Sequence, residues 1–192
     1  LNKLKLSFRQ EPDLTVWKAF LGKLKHPVSK IKIGLIGKYI ELKDAYKSIA
    51  EAFIHAGVAN ECKLNIEWIH SEKIEEQNVA DKLKGLSGIL VAPGFGDRGI
   101  EGKIAAIKYA RENKIPFLGI CLGMQLLANK SEEGGKEAGL GLIPGIIKKF
   151  DINNTKEEIK IPHMGWNMVH KKKESPLFAD MYEENKFYFV HS

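Results

Sequence analysis

Two short loops hold the residue types that could do chemistry. The first is Gly119-Ile120-Cys121-Leu122-Gly123, inside the run "PFLGICLGMQLL" at 116–127. The second is "GFGDRG" at 94–99. A cysteine between two glycines, with strand-like sequence before it and helical spacing after it, has the form of a nucleophile elbow. That turn lifts one side chain out of a sheet. Neighbouring backbone crowds the tip, and a Cβ on the flanking residues would clash. A helix is expected from Leu122 to about Asn129. Its N-terminus would face the sulfur and favour thiolate over thiol. The Leu122 N–H would be free to bind an oxyanion. The plain alternative is a buried structural cysteine. The paired glycines argue for the nucleophile.

"GFGDRG" matches G-x-G-x-x-G, which alone is weak. A dinucleotide fingerprint belongs in the first strand-to-helix turn, with an acid near the end of the next strand. This one follows the third strand, and the next strand ends at Cys121. A glycine loop whose amides face the neighbouring nucleophile fits better, because tetrahedral intermediates of acyl transfer need such donors. Pro93 stiffens the entry, while Gly94 and Gly96 let the peptide turn. A tight turn with no chemical role is the alternative.

The six histidines are His26, His55, His70, His163, His170 and His191. None has a partner at metal-ligand spacing, so neither a metal nor another cofactor is expected. His191 lies at the end of a strand-like run and is the one histidine weighed as a base for the cysteine.

The elements that must position these loops alternate. "IKIGLIG" (31–37), "LNIEWIH" (64–70), "SGILVAP" (87–93) and "PFLGIC" (116–121) read as buried strands. Helical patterns fill 43–56, 75–84 and 100–112 between them. The fold class expected is α/β, a three-layer, mostly parallel central sheet with helices on both faces. Ligands in such sheets bind at the carboxyl ends of the strands, where both loops fall. Residues 1–30 read as an N-terminal linker and amphipathic helix, with Asp13 as its cap and Pro27 as its stop. The catalytic domain is expected over 31–192. Past residue 130 the rhythm changes: "GIIKKFDI", "KIPHMGWNMV" and "KFYFVHS" read as strands between polar turns, and the domain reads as incomplete at its C-terminus.

Composition narrows the partners. The 192 residues are 44% hydrophobic and 28% charged, which is ordinary for a globular chain long enough to bury a core. The net charge is +6, but the lysines are scattered among acids and read as a solvated surface, so no nucleic-acid partner is expected. No apolar run approaches the roughly 20 residues of a membrane helix. Two cysteines, Cys62 and Cys121, make no disulfide framework, and a cytoplasmic setting is the expectation.

With "GICLGMQ" the chain resembles the class I (triad-type) glutamine amidotransferases, which hydrolyse glutamine through a cysteine thioester and pass ammonia to a synthetase. Within that family the resemblance divides. The stretches "EPDLTVWKAFL", "IGLIGKYIELKDAYKSIAEAFIHAG" and "LVAPGFGDRGIEGKIAAIKYARENKIPFLGICLGMQ" are similar to the glutaminase region of CTP synthases. From about Gln125 to Ser192, "LLANKSEEGGKEAGLGLIPGIIKKF", "KIPHMGWN" and "FYFVHS" are similar to the glutaminase subunit of imidazole glycerol phosphate synthase, in histidine biosynthesis. The chain thus reads as a hybrid. The resemblance implies that Cys121 is the nucleophile and that the loop amides of Gly94 and Phe95, with Leu122, form the oxyanion hole. It implies that Gln125 and Glu133 contact L-glutamine and that backbone around His191 and Ser192 lines the substrate. It also implies a synthetase domain or subunit that receives ammonia, most readily for CTP synthesis, and is compatible with a homo-oligomer. The family's triad continues into a His-Pro-Glu run, and the sequence contains none. Two alternatives therefore stand beside the enzyme: a folded, inactive or chimeric module, and a cysteine-elbow hydrolase of another kind, against which "GMQ" speaks.

Overall fold

Four parallel strands carry the site. In the computed structural model, which describes residues 3, 12–94, 96, 98–132, 138–151, 160–179, 181 and 185–191, they are β1 (Ser29–Gly37), β2 (Cys62–His70), β3 (Gly88–Val91) and β4 (Phe117–Gly119). Their order across the sheet is β2-β1-β3-β4. All three pairings are parallel, with Leu35 opposite both Trp68 and Leu90, and Val91 opposite Gly119. β1 and β3 therefore sit inside the sheet, and their sequences are apolar without alternation at the buried ends, as two covered faces require.

The helices are α1 (Thr15–Lys25), α2 (Lys47–Ala59), α3 (Val79–Leu83), α4 (Ile100–Glu112) and α5 (Leu122–Gln125). Side-chain alternation along the strands divides the core in two. Ile36, Ile89 and Val91 face one way, packing with Leu83 of α3 and with Ala106, Ile107 and Ala110 of α4. Leu35, Leu90 and Ala92 face the other way, with Tyr46 and with Ile49 and Phe53 of α2. Leu35, Ile36 and Val91 have no solvent exposure. The expected three-layer α/β architecture is the one observed.

Boundaries differ in instructive places. The 43–56 helix begins as a 3-10 turn over Lys43–Tyr46 and runs on to Ala59. The 75–84 helix shortens to α3, because Asn78 ties back the entry, its side chain accepting from the Glu75 N–H at 3.0 Å and donating to Lys73 O at 3.2 Å. The N-cap of α1 is Leu14 rather than Asp13, which stands one residue earlier, its Oδ1 accepting from the Thr15 N–H at 2.9 Å.

The chain divides into two compact units, Leu1–Ile146 and Ile147–Ser192. After α5 the first unit ends in a second small sheet of β5 (Ala128–Ser131) and β6 (Ile143–Ile147). The strand read in "GIIKKFDI" thus begins and ends earlier than its apolar run suggested. The second unit contains an antiparallel hairpin of β7 (His163–Val169) and β8 (Asn185–His191). Trp166 and Tyr188 face each other directly across it, rings edge to face at 5.6 Å.

Candidate active site

Cys121 follows β4 by two residues and stands immediately before α5. Its backbone has φ 53° and ψ −116°, a conformation an L-residue rarely adopts. Holding a non-glycine there costs on the order of 1–3 kcal/mol, which surrounding structure must offset. The two glycines explain how. A Cβ on Gly119 would collide with the carbonyl oxygen of Gly123, and one on Gly123 would sit 2.6 Å from the Val91 carbonyl oxygen. The elbow is thus pressed against its own helix and against β3. The Ile120 N–H extends the ladder by donating to Val91 O at 3.2 Å. Cys121 itself is half-buried and carries a free thiol.

The 93–99 loop leaves the same edge of the sheet from the neighbouring strand. Val91 and Gly119 are register partners, so Gly94 departs three residues beyond one and Cys121 two beyond the other. Leu122 is the first residue of α5, and its N–H has no acceptor within the helix. Gln125 is half-buried and lies one turn on, its N–H donating to Cys121 O at 3.0 Å. Phe95, Glu133 and Ser192 lie outside the described residues. His191 ends β8 opposite His163, in the second unit. His163 Nε2 and Asn167 Nδ2 are 2.8 Å apart on one face of β7.

One sequence expectation needs correcting. The helix after the elbow does not reach Asn129. It stops at Gln125, and after two further residues the chain enters β5. The cause is a set of backbone bonds that pull the chain into a second sheet: Leu140 N to Leu126 O at 2.8 Å, and Leu142 and Ile143 N to Leu127 O, both at 2.8 Å. Four residues align few peptide dipoles, so α5 supplies little of the positive field expected at the sulfur.

Sequence reading passed over a buried lysine at the root of the glycine loop. Lys103 of α4 is 1% exposed, and its Nζ donates to the Ala92 carbonyl at 2.8 Å. A Cβ on Gly94 would lie 3.8 Å from that Nζ. Burial pushes the Lys103 amine down to about 8, as does the like charge of Lys38, while the electrostatic attraction of Cys121 pulls it back up. Lys38, just after β1, is 6% exposed. Its Nζ stands 5.2 Å from the Tyr39 ring centroid and 3.8 Å from where a Gly96 Cβ would be. Tyr46 fixes this turn: its hydroxyl oxygen accepts from the backbone N–H groups of Lys38 and Tyr39, and burial pushes its phenol above the ordinary value. Both lysines were hidden among scattered surface charges. A signal for Lys103 did exist, because it shares a helical face with Ala106, Ile107 and Ala110, all buried.

This elbow, set at the carboxyl edge of a doubly covered parallel sheet beside a glycine loop, has the geometry of a strand-to-helix nucleophile turn with a cysteine at its tip. The chain belongs to the class I glutamine amidotransferase family, whose model matches residues 41–192. A CTP synthase from Cytophaga hutchinsonii is 66% identical over 125 residues, covering 65% of this chain and 23% of that protein. Another from Flavobacterium psychrophilum is 60% identical over 173 residues, covering 90% of this chain and 30% of that protein. The glutaminase domain of Trypanosoma brucei CTPS, solved with bound acivicin, superposes with a TM-score of 0.65 at 31% identity, covering 84% of this chain and 66% of that one. The chain thus spans less than a third of the length of these curated relatives. Similarity to the Flavobacterium protein over 173 residues carries the CTP synthase resemblance past Gln125. These relatives favour that reading over the histidine-pathway alternative, and the division into two parental families gains no support.

Proposed function

We propose that the chain is the glutaminase domain of a CTP synthase, with Cys121 as its nucleophile. The observation that carries the reading is the positive φ of Cys121 at a tip walled by Gly119, Gly123 and Val91. In this scheme Sγ attacks the carboxamide carbon of L-glutamine. The amide electrons move onto oxygen, and the oxyanion is held by the Leu122 N–H and by amides of the Gly94–Phe95 turn. Collapse of the intermediate breaks the C–N bond and leaves a γ-glutamyl thioester as ammonia departs. Water then attacks the thioester and releases glutamate. Gln125 and Glu133 contact the substrate, and the backbone around His191 and Ser192 lines it.

The leaving ammonia needs a proton, and the thiol needs a base. The sequence holds no His-Pro-Glu run to supply them. In the full-length enzyme we assign the base to such a run, and the ammonia to a synthetase domain of the same protein, in the cytoplasm. Further expectations are the domain division, with a linker over 1–30 and the glutaminase over 31–192, and a homo-oligomeric assembly. The test is ammonia release from L-glutamine by the full-length synthase bearing this domain, compared with its Cys121→Ser variant. Loss of at least about 1,000-fold with an intact fold is expected for removal of a nucleophile. Equal release by both proteins overturns the assignment.

A further inference from the structure

We propose that the outer edge of β2 is a docking surface for a second copy of this chain, the two β2 strands pairing antiparallel about Asn65 and joining two sheets into one. The inference names a surface for the homo-oligomeric assembly proposed above. It is independent of the chemistry at Cys121.

β2 comes first in the sheet order. One side of it pairs with β1 and, among the described residues, the other side pairs with nothing. It is nine residues long and contains neither proline nor glycine, whereas β4 at the opposite edge has three residues. A long, regular edge presents a row of backbone donors and acceptors that a strand of another molecule can satisfy.

The sequence of β2 is self-complementary in one register. A two-fold axis at Asn65 sets Lys63 of one copy opposite Glu67 of the other, twice, with Leu64 opposite Ile66. Lys63, Asn65 and Glu67 share one face and are solvent-exposed, while Leu64, Ile66 and Trp68 share the other and are half-buried. Moving the axis to Ile66 sets Lys63 against Ile69. Moving it to Leu64 sets Glu67 against Glu61, two like charges. Both charges are available: among the described residues Lys63 makes no ion pair, and Glu67 reaches only Lys32, at 3.7 Å.

An open cleft lies beside this edge on its apolar face. Ala50, Phe53 and Ile54 of α2 line it together with Leu64 and Ile66 of β2. Ile54 is 41% exposed. A sheet that continues past β2 would cover the cleft in both copies and take this apolar surface out of water.

Crosslinking of the full-length protein with a short bismaleimide, the joined peptides located by mass spectrometry, reads the pairing directly. In Asn65→Cys the new thiols face each other across the axis. They should crosslink copy to copy at least about 10-fold faster than those of Lys84→Cys, an exposed position just after α3 and away from β2. Lys63→Glu and Glu67→Lys, each added to Asn65→Cys, set like charges opposite each other twice and should each slow the crosslink about 10-fold. The double reversal sets opposite charges together again and should restore the rate. Glu67→Lys is the most informative arm, because an ammonium near the thiol would by itself speed its reaction. An Asn65→Cys crosslink no faster than that of Lys84→Cys overturns the proposal. So does a rate that the single reversals leave unchanged, or a double reversal as slow as either single one. The glutaminase reading is tested separately by ammonia release from the Cys121→Ser variant, on which this crosslink has no bearing.

Discussion

Gly119 and Gly123 meet across the elbow, so that a side chain on the first would strike the carbonyl oxygen of the second. Gly123 in turn lies against the Val91 carbonyl, where its own Cβ would come to 2.6 Å. Strand β4, helix α5 and strand β3 are thereby locked at a spacing only hydrogen can fill. The strained Cys121 backbone is held from both sides. Gly119→Ala and Gly123→Ala should each destabilise the chain by about 2–3 kcal/mol, as overpacking against backbone does. Urea unfolding checks this. A midpoint unchanged in either variant would mean the elbow is looser than its contacts imply.

The buried amine of Lys103 predicts a rise in stability at alkaline pH. Below pH 8 it is charged in both the folded and the unfolded chain, and the folded state bears the cost of burying that charge. Between about 8 and the ordinary 10.5 the folded chain releases its proton while the unfolded chain keeps it. Unfolding then binds a proton, so stability increases with pH across this window, by up to about 3 kcal/mol. Unfolding midpoints between pH 7.5 and 10.5 should show that contribution in wild type. The difference between wild type and Lys103→Met isolates it from other lysines, and a difference constant with pH contradicts it.

Ser71 offers a separate test of packing at the same sheet edge. Its side chain is fully buried, and among the described residues its Oγ has no hydrogen-bond partner. A desolvated, unpaired hydroxyl costs about 1–3 kcal/mol. Ser71→Ala should therefore leave stability unchanged or raise it, read as the thermal midpoint. Gly102→Ala should do the opposite, because its Cβ would collide with the Ser71 carbonyl oxygen, which is backbone and cannot swing away.

Much of this was legible in the sequence because it is local. "GICLG" encodes the elbow through glycines that the turn requires, and α4 falls on the residues its pattern marks. The continuous apolar runs of β1 and β3 reveal strands covered on both faces. What escaped depends on distant partners. The end of α5 is set by backbone bonds from residues 140–143, which the apolar spacing of "MQLLA" does not disclose. Lys103 looks like one more surface lysine in a chain with 30 Lys and Arg residues. Only the position of Ala92 and Gly94 against α4 shows why a charge sits on its buried face. The helix dipole expected at the sulfur is correspondingly small, because α5 has only four residues.

The most direct measurement of Cys121 as a nucleophile addressed by glutamine is covalent labelling of the full-length protein with acivicin, with and without L-glutamine, located by peptide mass spectrometry. The result predicted is one label per chain, on Cys121, slowed by glutamine in proportion to its occupancy, with Cys62 untouched. Labelling that falls equally on Cys62 and Cys121, or that glutamine leaves unchanged, would contradict it.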